Sequence, residues 1–428
     1  MPNVVIIGAG VGGLCLAQGL RRAGVPVRVY ERDAAPDARL QGYRLNIEPV
    51  GSRALHDCLP GQLWRLLVAT AGDPGPGMGV FTHRLRRLMR EPGETPDHPA
   101  DGTHAVSRAT LRRVLLAGLE DVVSFGKEFT RYSEDGARVT AHFTDGTSAA
   151  GTLLVGADGA RSRVRQQLLP HARVTPTGGF GVGGKLPLTD ETARWLPPAL
   201  TESKNMILPR KDFLFTAVFR RRMNTEQAAG QLRGPLEAAG IDADDALREA
   251  KEPDYVMWAY VANDARYPDA RPDDSGEVLQ AAIARRNTAW HPALRRLIAA
   301  SDPAGISRFE FTTALPVKPW PTQNVTLLGD AIHHMPPVGG IGGNMALGDA
   351  RDLCHVLREA STQNAAWLRP ALAHYEQQML KRGFGAVGAS RRYLTLAISR
   401  NPALRQAALG FFGLCGAVPP LRRAVFAD

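Results

Sequence analysis

The sequence predicts an α/β protein: a nucleotide-binding strand–helix–strand lobe, interrupted by an antiparallel-sheet domain and closed by C-terminal helices. Three observations carry that expectation. An apolar, β-branched run at the start leads into a glycine turn; aromatic residues alternate at period two in the middle; and near residue 325 a second apolar run meets another glycine-rich turn.

Val4–Ile7 is continuously apolar, as expected of a central parallel strand buried on both faces. Residues 8–13 are glycine-rich, and a helix to about Ala23 sets Leu14, Ala17 and Leu20 on one side. Val27–Tyr30 is the second strand and ends at Glu31, giving one βαβ unit. Residues 71–102 are rich in Pro, Gly and charge and read as an excursion from this lobe. A helix is expected over 106–119, and strands over 140–143 and 152–155 to finish the lobe.

From 171 to 319 the character changes. Phe213, Phe215, Ala217 and Phe219 alternate, as do Val256, Trp258 and Tyr260, and Phe309 with Phe311. This predicts an antiparallel sheet with one apolar face, able to pack against helices, to roof a hydrophobic cavity, or both. Phe213, Phe215, Trp258 and Tyr260 are its candidate substrate contacts. Residues 325–328 form another buried strand, with a long helix near 345–357 and mostly helix beyond. The expected organisation is 1–170 for the nucleotide lobe, 171–319 for the sheet domain, 320–360 for a return to the first lobe and 361–428 for the closing helices.

A chain of 428 residues, 44% hydrophobic and 22% charged, is neither a disordered tail nor a disulfide-stapled miniprotein. No apolar run reaches the roughly 18 residues that span a bilayer. The longest, 407–418, contains three glycines and reads as buried helix or loop. Met1 leads straight into a strand without a basic leader, and the four cysteines form no CxxC pair. A cytoplasmic protein with no disulfide framework and no metal site is therefore expected. The net charge of +10 is spread mainly over arginines, with short clusters at 84–90 and 220–222. A positive field that attracts anionic cofactors explains this more simply than nucleic-acid binding.

Three motifs carry chemistry. Gly8-x-Gly10-x-x-Gly13, with Val11 and Gly12 between, lies between strand and helix. Gly8 makes the turn, Gly10 lets backbone approach a pyrophosphate, and Gly13 allows close helix–strand packing. Glu31, followed by Arg32, sits at the end of the next strand, where a carboxylate accepts ribose hydroxyls. This pattern serves FAD and nicotinamide dinucleotides alike. A second match, Gly179-x-Gly181-x-x-Gly184-Lys185, is followed by Leu186 and Pro187 instead of a helix, and reads as a strand with close backbone approach. The next motif runs from Leu154 through Asp158-Gly159 to Ser162, a strand-to-helix turn with Ser162 as cap. The last is Gly329-Asp330-Ala331-Ile332-His333, then Pro337, Gly340, Gly342, Gly343 and Asn344. Asp330 can bind a polyol hydroxyl, and the glycines let a flat ring lie against bare backbone.

In this order and spacing the three motifs resemble the single-component flavoprotein monooxygenases of the para-hydroxybenzoate hydroxylase type, across nearly the whole chain. The resemblance implies a Rossmann-like FAD lobe of the glutathione reductase type. It implies that Gly8, Gly10, Gly13 and Glu31 hold the ADP half of FAD, that Arg108 contacts the linker, and that Asp158 belongs to a segment serving FAD and NAD(P)H. By the same resemblance Asp330 is the ribityl ligand, Gly342, Gly343 and Asn344 lie beneath the isoalloxazine, and Arg44, in Gly42-Tyr43-Arg44, stands near the flavin at the site mouth. Ile341 replaces a glutamine common in the family, and the thioredoxin-like third domain of the phenol hydroxylase branch is not seen.

The implied activity is oxygenation of a hydrophobic, aromatic or polyketide-like small molecule. NADPH or NADH and O2 are consumed, and a flavin C4a-hydroperoxide is the oxygen donor in hydroxylation, epoxidation or Baeyer–Villiger chemistry. Arg44 and His333 are the candidate catalytic side chains; a structural or capping role suits His333 better. A flavin-dependent halogenase, a prenyl-chain reductase and a non-catalytic flavin redox sensor are the alternatives. No Trp-x-Trp-x-Ile-Pro stretch supports the halogenase. Arginine outnumbers lysine and Ala, Gly and Pro are abundant, which suggests a high-GC bacterium and through it a biosynthetic cluster of secondary metabolism; oligomeric state is open.

Overall fold

The computed structural model describes the chain except residues 1, 37, 39–43, 94–95, 210, 223–224, 239, 241, 245–252, 268–270, 272, 363–364 and 427–428. Gly42 and Tyr43 thus lie outside the described residues.

The opening run becomes β1 (Val4–Ile7), passes through the glycine turn into α1 (Val11–Arg22) and returns as β2 (Val27–Tyr30), parallel to β1. With β7 (Val123–Ser124), β11 (Leu153–Gly156) and β17 (Val325–Leu327) they form a parallel sheet in the order β17-β11-β1-β2-β7. Every residue of β1 and β11 is buried, as continuous apolar strands between layers require. The return of the chain at residue 325 therefore places the third motif beside the second, and the second beside the first.

Two local expectations change. Residues 140–143 belong to β9 (Arg138–Phe143), which pairs antiparallel with β8 (Phe129–Asp135) and β10 (Ser148–Gly151) in a separate sheet. Half of β9 faces outward, whereas β11 is buried throughout, and that difference separates the two strands into different sheets. The helix expected from 106 begins later: β6 (His104–Ser107) pairs with β3 (Arg44–Ile47), and α4 runs Arg108–Leu116 behind a Ser107 cap.

The middle of the chain forms a larger sheet, ordered β16-β12-β15-β14-β13-β4-β5. Its strands are β4 (Gly77–Thr82), β5 (Arg87–Pro92), β12 (Val174–Pro187), β13 (Lys204–Leu208), β14 (Phe213–Phe219), β15 (Tyr255–Asn263) and β16 (Ser307–Ala314). Neighbours run antiparallel except β13 with β4. The 71–102 excursion thus lends two strands to this sheet. Both of its faces are apolar, not one. Val256, Trp258, Tyr260 and Leu214 are buried in a core with α9 (Gly276–Arg286) and α10 (Pro292–Ala299). Phe213, Phe215, Ala217 and Phe219, with Met257, Ala259 and Val261, look the other way, toward Ala105 and Val338 of the first lobe.

The second glycine repeat lies inside β12. A Cβ on Gly184 would sit 2.5 Å from the Trp258 ring, and one on Gly181 would sit 2.6 Å from Phe311. Those glycines let rings lie flat on the sheet and hold no phosphate turn.

Helices α2 (Pro49–Cys58), α3 (Gly61–Thr70), α5 (Arg163–Leu168), α6 (Asp190–Trp195), α7 (Pro198–Glu202) and α8 (Thr225–Ala238) fill the connections. After β17 come α11 (Asp330–His333), α12 (Ile341–Thr362), α13 (Ala365–Ile398), α14 (Pro402–Ala417) and α15 (Pro419–Phe426). α12 packs against α1, α2 and α13. The 407–418 run is helical but not buried: in α14 only Cys415 is fully enclosed.

Candidate cofactor site

At the first turn Gly8 has φ +105°, and a Cβ there would fall 2.5 Å from the carbonyl oxygen of Ala157. A Cβ on Gly13 would lie 2.2 Å from Gly8 O, so helix and turn pack with no side chain between them. Beside Gly10 there is open space. Gly10 precedes α1 without a side-chain cap, and the first turn holds no acid, so its N–H groups face outward as an anion site. Val11 opens the helix and Gly12 packs against Leu328 and Ala346. Buried Glu31 accepts from Ala9 N at 2.7 Å and from Asp33 N at 3.0 Å, which pins its carboxylate beside the glycine turn. Arg32, next to it, is exposed.

The second and third motifs are tied to this turn. Asp158 accepts from Arg163 N at 2.8 Å and Val164 N at 3.3 Å, so it caps α5 together with Ser162. Its other oxygen is buried without a hydrogen-bond partner among the described residues, and desolvation raises its pKa. Arg165 donates to Ala331 O at 2.8 Å, joining the Asp-Gly segment to α11. Asp330 opens α11 behind Gly329, with φ +60°, and stands 3.3 Å from His334 Nδ1. A Cβ on Gly342 would be 3.7 Å from Asp330 Oδ1. Desolvation lowers the Arg108 pKa while the Asp330 charge opposes the drop, so the start of α4 and the start of α11 share one electrostatic environment.

The late helix begins at Ile341, three residues before Asn344, and Gly342 and Gly343 therefore lie in its first turn, with open space beside Gly343. Pro337 and Gly340 precede it and are exposed. Asn344 is buried, and its side chain is spent: Oδ1 accepts from Glu48 N at 2.9 Å, and Nδ2 donates to Asn46 O and Gly340 O at 3.0 and 3.1 Å. It staples the β3–α2 junction to α12.

His333 is fully buried. Its Nε2 meets Asp349 Oδ2 at 2.6 Å, and the same oxygen accepts from Gly329 N at 3.0 Å. Burial alone would lower the His333 pKa, but the Asp349 charge and hydrogen bond, with Asp330, carry it above the ordinary value. His333, through Asp349, holds the turn that presents Asp330.

Arg44 does not stand free at a site mouth. It is buried, donates to Val218 O in β14 and to Asn46 Oδ1 at 2.7 Å, and desolvation lowers its pKa to about 10 against the opposing charges of Tyr255, Glu48 and Asp73. It bridges the first lobe to the sheet. The four candidate substrate contacts also divide. Phe213 and Phe215 lie on the face turned to the first lobe, half-buried, opposite Val261 and Ala259. Trp258 and Tyr260 lie on the far face, fully enclosed, with Trp258 Nε1 donating to Ser301 Oγ at 2.9 Å and Tyr260 OH to Asp212 at 2.6 Å. Period-two alternation within β15 groups them correctly with Val256, but only the cross-strand register shows that this face belongs to α9 and α10.

Comparison with known proteins shows the family in which this arrangement occurs. The family model described as "FAD binding domain" matches residues 1–232 and 260–388. The chain belongs to this family of FAD-dependent monooxygenases. A dual O-methyltransferase/FAD-dependent monooxygenase of Phaeosphaeria nodorum is 31% identical over 90% of this chain and 45% of its own length. The chain thus spans less than half the length of that relative. An FAD-dependent urate hydroxylase of Klebsiella pneumoniae is 28% identical over 95% of the chain and 93% of its own. A solved structure of a putative FAD-containing monooxygenase from Photorhabdus luminescens superposes with a TM-score of 0.79 at 32% identity, covering 93% and 99% of the two chains.

The residues present fit FAD. The uncapped α1 start at Gly10–Gly12 would take its diphosphate, the pinned Glu31 its adenosine ribose, and Asp330 with Arg108 its polyol chain. The bare Gly342–Gly343 turn suits a flat ring. Two contributors escaped the sequence reading. Arg112 donates to Ala9 O at 2.6 Å and Pro36 O at 2.9 Å, bracing the glycine turn one helical turn beyond Arg108. Lys204 lies opposite Ala217 on the lobe-facing side of β13 and makes no hydrogen bond or ion pair to a described residue. Desolvation and the Arg44 charge lower its pKa while Glu48 opposes them. Its signal was available: a lysine in step at period two with Met206 and Leu208.

Proposed function

We propose that the chain is an NAD(P)H-consuming monooxygenase that transfers one oxygen atom from O2 to a hydrophobic aromatic or polyketide-like molecule carrying an acidic hydroxyl. Bound FAD supplies the redox and oxygen chemistry; the chain supplies orientation, charge and exclusion of water. Asp330 accepts from polyol hydroxyls, and the orphan N–H groups at the start of α12 stabilise negative charge beside them by about 0.3–1 kcal/mol, up to roughly 2 where partly buried. Phe213 and Phe215, with Met257 and Ala259 across the sheet, offer an apolar wall, and Lys204 offers a desolvated ammonium that favours an ionised phenol or enol over the neutral form.

The observation that carries this reading is convergence. Three segments far apart in the chain meet around the Gly8 turn, Asp330 and the Gly342–Gly343 helix start, and the first lobe faces an apolar sheet face bearing Lys204, which is unpaired among the described residues. The Klebsiella relative, named for hydroxylating urate, supports a substrate with ionisable oxygens. The fungal relatives, named for O-methyl transfer as well as monooxygenation, support a product bearing a hydroxyl.

The test is purification with an absorbance scan, then NADPH and NADH oxidation against a panel of phenols, naphthols and anthrones under labelled oxygen. One label atom per product molecule, with pyridine-nucleotide consumption stimulated by that compound, is expected. A yellow protein that reduces its flavin yet incorporates label into no compound would sink the proposal in favour of a reductase or sensor.

A further inference from the structure

α14 has more apolar surface than its packing uses. Phe412 and Cys415 turn inward against Val80 and Met89 of the sheet, and a Cβ on Gly416 would lie 2.0 Å from Leu88 O, so the inner face is fully engaged. A second stripe, Leu404, Phe411, Leu414 and the capping Val418, recurs at spacings of 7, 3 and 4 on the outer side, and Val425 in α15 is exposed as well. Phe411 is 42% and Leu414 53% exposed, and Leu396 and Tyr393 at the end of α13 are exposed as well. Aliphatic and aromatic groups gathered on one surface of a small region mark an interaction site.

Charge identifies what the surface fits. Between Gln377 and Ala427 there are eight Lys and Arg and no Asp or Glu. Arg391, Arg392 and Arg423 are exposed and make no ion pair with a described residue. Arg86 and Arg87, from one of the two densest basic clusters in the chain, are exposed on β5 or at its start, the strand that α14 packs upon. A second copy of this chain would bring like charge against like. A partner that is negative at its surface and apolar beneath answers both features. No helix is long and apolar enough to cross a membrane, so the geometry is that of helices lying on one.

We propose that the outer face of α14 and α15 docks on an anionic lipid bilayer, the apolar stripe entering the headgroup layer and the arginines pairing with lipid phosphates. Tyr393 brings this face near the start of α12: its ring and Ile341 are the neighbours that a Cβ on Gly339 would meet at 3.4 Å. A hydrophobic substrate dissolved in lipid would then be gathered close to where it is used.

The test is co-sedimentation of the flavin-loaded protein with phosphatidylcholine vesicles, with and without phosphatidylglycerol, at rising salt. Binding is expected with phosphatidylglycerol only, weakening as salt screens the arginines. The double variant Phe411→Ser/Leu414→Ser and, separately, Arg423→Glu should each lower the partition coefficient about tenfold with bound flavin unchanged. Equal binding to neutral vesicles, no binding, or wild-type partition by both variants overturns the proposal. So does a dimer in sedimentation velocity that the double variant abolishes, because the face then belongs to a second copy. None of these readouts depends on oxygenase turnover, so they stand or fall apart from the proposed function.

Discussion

Asp330 and Lys204 are two charged residues whose work differs because their surroundings differ. Asp330 sits at a helix start beside bare glycine backbone, where a carboxylate can bridge polyol hydroxyls. Asp330→Ala should cut flavin occupancy at least tenfold, since a hydrogen bond to a charged group is worth about 1.5–3 kcal/mol; a yellow, fully loaded variant would refute that role. On the proposed reading Lys204 acts on the substrate instead. Lys204→Met should raise KM about tenfold for an ionisable phenol and leave a neutral aromatic unaffected, measured by steady-state NADPH oxidation. Because desolvation lowers the Lys204 pKa, the ammonium is lost as pH rises through a value below the ordinary 10.5. The wild-type KM for a phenolate should therefore climb at alkaline pH and that of Lys204→Met should not. Gly8, Gly10, Gly13 and Glu31 could be read from sequence because a turn, a helix start and a strand end are local facts. Lys204 carries a period-two signal with Met206 and Leu208, but neither it nor Arg112 could be placed at the site, since what each faces depends on which strand or turn lies opposite.

At the scale of elements, alternation and continuity sorted strands from helices, and the failures came where two strands of similar composition joined different sheets. β9 ends at Phe143 and β11 begins at Leu153; what separates them is that β11 is buried throughout and only alternate residues of β9 are. The Gly329–His333 element shows the opposite case, a short motif legible in the sequence whose partner, Asp349, lies a helix away. That pairing has a pH signature. The folded His333 pKa is raised above its unfolded value near 6.5, so the His333–Asp349 interaction contributes stability fully present below that pH and lost as pH rises through the folded pKa. The difference in Tm between wild type and His333→Gln should thus be fully present below pH 6.5 and shrink as the pH rises above it. A difference that is flat across that range would mean the pair is not held together by charge.

For the whole molecule, the question is what couples the cofactor lobe to the sheet that faces it. The resemblance placed Arg44 at the flavin; the structure gives its guanidinium to Val218 of β14 and Asn46 of β3, one from each layer. Sequence could not foresee this, because the 44–218 contact spans most of two domains. The two assignments make opposite forecasts for Arg44→Met. Loss of two charged hydrogen bonds, each about 1.5–3 kcal/mol, is largely offset by relief of the desolvation that pulls the Arg44 pKa to about 10, so thermal stability should change little. Flavin content should also hold, because the Gly8 turn, Glu31 and Asp330 are untouched. What should fall is coupling: with the layers no longer braced, more of the NADPH consumed should appear as hydrogen peroxide and less as oxygenated product. Arg44→Lys should not restore it, since an ammonium cannot fork between a carbonyl and an amide. If Arg44→Met instead lost its flavin while its remaining holoenzyme stayed fully coupled, Arg44 would be a cofactor ligand and the layers would be held by other means.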